Sequence, residues 1–110
     1  MKIPDSIRIG GVEYRIQYEP NVRNVNQLCY GQINYDDSTI TLSTTDGTGH
    51  QMRSITLWHE ILHGIRNHSG LEIEDEEKVV EVFLRGIYQV LQDNGKRLFD
   101  LMDGDKCADQ

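Results

Sequence analysis

Leu57-Trp58-His59-Glu60-Ile61-Leu62-His63-Gly64 lies near the middle of a run from residue 50 to 69 that contains no proline. Thr48 and Gln51 have the spacing of a capping box, so a helix is expected to begin near residue 48. It continues to about His68, where Ser69-Gly70 stops it. Residues four apart on a helix stand one turn above each other on the same face. His59 and His63 therefore present two imidazoles side by side. Met52, Ile55 and Leu62 share or border that side, while Leu57, Trp58, Ile61 and Ile65 cover most of the remainder. A helix apolar nearly all round is expected to be buried. Two ring nitrogens placed there need partners, and a metal ion bound at about 2.0–2.1 Å supplies them. Glu60 stands beside this face, out of line with both histidines. That position suits a base acting on a metal-bound water better than a ligand.

A catalytic zinc site uses three protein ligands and keeps one position open. Extension to HExxHxxGxxH does not provide the third, because Arg66 holds the glycine position and Ser69 that of the last histidine. His68 falls one residue short and reads as a helix-end residue. Carboxylates follow on a second helix, capped by Asp75, with Glu76 and Glu77 in its first turn and Asn94-Gly95 at its end. Ser69 with Glu72 is a rival start. The apolar stripe of this helix is Val80, Phe83, Leu84, Ile87 and Leu91. Glu76 and Glu77 flank the extension of the stripe and Glu81 lies nearer its edge. Packing of the two helices would point a carboxylate at the histidines, and periodicity does not separate Glu76 from Glu77.

Upstream, the period changes to two. Ser6–Ile9 alternates, Gly10-Gly11 suits a tight hairpin turn, and Val12, Tyr14, Ile16 and Tyr18 share one face of the next strand, which Pro20 ends. Residues 21–27 read as a loop. A second pair is expected over Cys29–Tyr35 and Thr39–Ser43, joined by Asp36-Asp37, with Ile33, Tyr35, Ile40 and Leu42 inward. The result is an α+β fold: a small, mainly antiparallel N-terminal sheet followed by two packed helices.

With 110 residues the chain accommodates one domain and a core without staples. That domain is expected over residues 1–95, followed by an acidic tail over 96–110 whose Leu98, Phe99, Leu101 and Met102 can dock on the body. The net charge of −7 argues against a nucleic-acid partner, and the only adjacent basic pair is Lys96-Arg97. Cys29 and Cys107 read as reduced thiols. Without a signal-peptide core at the start or a stretch long enough to span a membrane, a cytoplasmic protein is expected.

The order of strands, HExxH helix, connector and second helix bearing Glu resembles a minimal gluzincin, a zincin-like metallopeptidase. Residues 57–64, with Asp75-Glu76-Glu77-Lys78-Val79-Val80-Glu81-Val82-Phe83-Leu84 and Gly86-Ile87-Tyr88-Gln89-Val90-Leu91, are similar to small metallopeptidases encoded by phages and prophages. They are more distantly similar to metallopeptidases of mobile elements that cleave phage-type repressors. The resemblance spans residues 6–95 and is sharp over 56–94. It implies zinc held by His59, His63 and Glu77, since the family's ligand Glu stands three residues before a small apolar residue and six before an aromatic one, here Val80 and Phe83. A position often Asn or Asp in those relatives is Glu81 here, which keeps Glu81 as a competing ligand or a partner to a histidine. The implied reaction is peptide hydrolysis by a metal-bound water that Glu60 activates. A peptide or protein substrate is expected to pair with an edge strand at Thr39–Ser43. Tyr30, Tyr35, Tyr88 and His50 are the candidates for oxyanion stabilisation. The alternative is a zinc-site protein of phage origin that binds a partner without cleaving it.

Overall fold

The computed structural model describes residues 2–24, 27–28, 30–45 and 49–102. Strands β1 (Ser6–Ile9) and β2 (Val12–Glu19) form the expected hairpin. Gly10 and Gly11 have φ of 59° and 83°, the two positive values that match a two-residue turn to the twist of its strands. The segment expected as a loop contains two short paired strands, β3 (Arg23–Asn24) and β4 (Gln27–Leu28). Strand β5 (Gly31–Asn34) is shorter than expected and pairs antiparallel with β6 (Thr39–Ser43). Cys29 and Cys107 lie outside the described residues.

The two hairpins join through a parallel pairing of β2 with β6, giving a four-stranded mixed sheet in the order β1-β2-β6-β5. The α+β class is as expected, with two of the three pairings antiparallel. The position of Thr39–Ser43 is not. It is an inner strand, buried at all five residues, and the two edges are β1 and Gly31–Asn34. Its Thr-Ile-Thr-Leu-Ser alternation resembles that of a half-solvated edge. The polar side chains are instead covered and hydrogen-bonded: Gln17 Nε2 donates to Thr41 Oγ1 at 2.9 Å, and Thr39 Oγ1 donates to Asp37 at 2.6 Å.

Helix α1 (His50–Ser69) lays Leu57 on the sheet core formed by Ile9, Tyr14, Ile16, Ile40 and Leu42. Gly64 allows the close approach: a Cβ there would stand 3.1 Å from Ile9 Cδ1 and 3.2 Å from Ile33 Cδ1. Gly49 precedes the helix without a side-chain cap, and the proposed cap Thr48 lies outside the described residues. Gly70, left-handed at φ 74°, ends it as expected. The helix is not buried all round, since Ile65 is 51% exposed. One face meets the sheet and another meets α2, which leaves a strip open to solvent.

Helix α2 (Glu76–Met102) begins after Asp75, as expected, and runs through Asn94 and Gly95 to Met102. Asn94 does not terminate it; its amide donates back to the Val90 carbonyl one turn earlier, at 3.1 Å. The strong helix formers after Gly95 outweigh its cost of about 1 kcal/mol. Of the four apolar residues expected to dock, Leu98 is half-buried while Phe99, Leu101 and Met102 are exposed, and residues 103–110 lie outside the described residues. Of the expected stripe, Val80 and Leu84 are buried and Ile87 and Leu91 half-buried, whereas Phe83 is 61% exposed. A helix resting mainly on one other helix covers only a narrow seam, and Phe83 falls outside it.

His68 also has a role beyond ending α1. The buried Tyr14 hydroxyl lies 2.7 Å from His68 Nε2, and the rings meet edge to face with centroids 5.8 Å apart. Burial raises the Tyr14 pKa above its usual value. A Cβ on Gly10 would meet the His68 Cγ at 2.6 Å. Gly10→Ala is therefore expected to cost about 2–3 kcal/mol, from positive-φ strain plus loss of the Tyr14–His68 contact. Gly11→Ala, also at positive φ but with open space beyond it, is expected to cost only about 1 kcal/mol. Denaturant midpoints of the two variants test this, and equal losses would refute a stabilising Tyr14–His68 contact.

Candidate metal centre

The turn of α1 facing away from the apolar core presents His59 and His63, their ring centroids 4.8 Å apart. Helix α2 returns antiparallel to α1 and brings the first turns of its acidic end alongside them. Glu77 meets both histidines through different oxygens. Its Oε1 lies 2.9 Å from His63 Nε2 and its Oε2 lies 3.3 Å from His59 Nε2, and the two Nε2 atoms are 3.1 Å apart. His59, His63 and Glu77 thus form a group able to hold a metal ion. Glu76 and Glu81 sit on the opposite side of the rings. Glu76 Oε2 lies 2.5 Å from His63 Nδ1, and Glu81 Oε1 lies 3.1 Å from His59 Nδ1.

This arrangement determines what the centre needs. A carboxylate only accepts, and both nitrogens of each ring face one: Nδ1 faces Glu76 or Glu81, and Nε2 faces Glu77. With the proton of each ring on Nδ1, toward Glu76 and Glu81, two Nε2 lone pairs and the Glu77 carboxylate would be free for a cation. A cation satisfies all three. With one donor atom taken from each residue, the three lie within 4.8 Å of one another, close enough for one metal ion to draw together. The Glu77 side chain is 70% exposed, which places it on the solvent side of this point.

Glu60 is buried at 7% exposure and faces the same cleft. Burial pushes its carboxyl up to about 7; His63 pulls it down and Glu77 pushes it up. A group raised in the folded state favours folding at low pH, and that benefit is lost as pH rises through the folded pKa. In metal-free protein near pH 8, Glu60 is therefore a charged, destabilising group. Glu60→Gln in chelator is expected to raise stability by roughly 2–3 kcal/mol near pH 8, with most of the gain gone near pH 4.5. Urea unfolding of both proteins at the two pH values checks it; a pH-independent difference would contradict the burial effect.

The cleft has a volume of about 500 Å³, with Gly31, Gln32 and Ile33 of edge strand β5 forming one wall. Tyr35, expected to point inward, is instead 37% exposed and lines the cleft. Burial and then Glu76 push its phenol up to about 12, against the opposing pull of Arg66. Tyr35 is the one candidate oxyanion group at this cleft. Tyr88 and His50 line a separate apolar groove, and Tyr30 is exposed outside both cavities. Arg66, weighed earlier only as a departure from the extended motif, also lines the cleft. Its position three residues after His63 places it on the histidine face, a signal the spacing already carried.

Comparison of the chain with protein-family models, curated proteins and solved structures finds no match. No described helix is long and apolar enough to cross a membrane.

Proposed function

We propose that this protein is a zinc-dependent peptidase. The observation that carries the proposal is the convergence of His59 Nε2, His63 Nε2 and Glu77 on one point, beside a buried Glu60 and along an edge strand. Bound zinc would supply Lewis acidity toward a carbonyl and make water a nucleophile near neutral pH. Glu60 takes the proton from the attacking water and returns it to the leaving amine. Tyr35 keeps its phenolic proton and donates to the carbonyl oxygen as charge develops there. The outer edge of β5 offers backbone groups to an extended peptide, which replaces Thr39–Ser43 as the pairing strand.

The test is a peptide library incubated with purified protein and read by mass spectrometry, with chelator and with zinc restored. Cleavage that chelator stops and zinc revives is expected. A library left intact by protein at one zinc per chain would favour a zinc-dependent partner-binding module.

A further inference from the structure

Glu76 and Glu77 are adjacent on α2, and both reach His63. Glu77 faces the converging Nε2 atoms, whereas Glu76 faces the Nδ1 side. Their positions about 100° apart around α2 set up this division, and Arg66 reinforces it. Its Nε lies 2.8 Å from Glu76 Oε1, an ion pair whose angle makes no hydrogen bond. Its Nη1 donates to the Leu71 carbonyl in the connector at 3.3 Å. One guanidinium thus spans the last turn of α1, the connector and the first turn of α2. With one oxygen held by Arg66 and the other by His63 Nδ1, Glu76 has neither oxygen left for the centre. Among the described residues, no Lys or Arg pairs with Glu81, the corresponding partner of His59.

We infer that Arg66 is a positioning residue that selects the third ligand: it pins Glu76 on His63 Nδ1 and leaves the metal to Glu77. This rests on the metal-centre proposal. It makes Arg66 the determinant of which of two neighbouring carboxylates coordinates. Arg66→Met frees Glu76 to turn toward the metal, so Glu76 then substitutes for Glu77.

A double-mutant cycle on zinc affinity tests it, using a chromophoric chelator as competitor. Arg66→Met alone is expected to weaken zinc about tenfold, the low end of the effect of losing an outer-shell partner. Glu77→Gln is expected to weaken it about a hundredfold in the wild type but about tenfold or less in Arg66→Met, because Glu76 takes over. Arg66→Lys, which keeps the charge, should recover most of the wild-type behaviour. An independent readout is the structure of the zinc-loaded Arg66→Met, Glu77→Gln protein, in which Glu76 is expected to coordinate. If the two losses simply multiply and Glu76 stays off the metal, Arg66 does not select the ligand. A wild type that binds no zinc would overturn the metal centre and this inference with it, whereas a zinc-binding wild type indifferent to Arg66→Met overturns this inference alone.

Discussion

Protein carrying His59→Ala and His63→Ala is expected to purify with no zinc, where the wild type carries close to one zinc per chain by elemental analysis. Both variants remove an Nε2 atom from the point on which Glu77 converges, and one carboxylate alone does not hold the ion. The fold should survive, because the core of Ile9, Tyr14, Ile16, Ile40, Leu42 and Leu57 includes neither histidine. A ligand that binds only the folded state, present at a hundred to a thousand times its Kd, adds about 2.7–4.1 kcal/mol. For a domain of this size that is a melting shift of roughly 10–20 °C. Chelator should therefore lower the wild-type melting temperature by about that amount and leave the double variant unmoved. Full zinc occupancy in the double variant, or a wild-type melt unchanged after verified removal of zinc, would exclude a centre bridging α1 and α2.

Glu60→Gln is expected to cut peptide cleavage by about two to four orders of magnitude while zinc content stays near one per chain. The exchange keeps the size and shape of the side chain and removes its basicity. Because Glu60 lines the cleft without belonging to the converging group, its loss should not disturb metal binding. The measurement is twofold: zinc content of the pure variant, and new protein N-termini in cells expressing wild type or variant. Termini produced equally by both would end the peptidase proposal and favour partner binding, which does not need the base. Zinc lost together with activity would make Glu60 part of the metal's support, not the proton acceptor.

Much of the local structure was legible from short-range chemistry. The Gly10-Gly11 turn, the end of β2 at Pro20, the stop at Gly70 and the start of α2 after Asp75 depend on backbone preferences of a few neighbouring residues. The pairing of His59 with His63 follows from the helical repeat. Placement of Glu77 opposite both Nε2 atoms agrees with the residue implied by the resemblance, which periodicity alone did not separate from Glu76. The errors share a different character. Phe83, Phe99 and Ile65 were assigned to buried faces on apolar character, yet exposure depends on what else covers the helix, and α2 is covered mainly by α1. Asn94-Gly95 has the composition of a helix end, but Asn94 hydrogen-bonds within the helix, which continues.

The sequence by itself determined the elements and the chemistry of one helix face: strands first, two helices after, and two imidazoles with a neighbouring carboxylate at a spacing set by 3.6 residues per turn. Tertiary structure alone decided which strand is the edge, because alternation reports the two faces of a strand and not its neighbours. The parallel pairing of β2 with β6 buries Thr39–Ser43 and leaves Gly31–Asn34 beside the cleft. It also decided how Glu76, Glu77 and Glu81 are shared between the two rings. These acids are equivalent in charge and nearly so in spacing, and they are distinguished by the angle at which α2 crosses α1 and by Arg66, ten residues before Glu76 in sequence yet in contact with it through space.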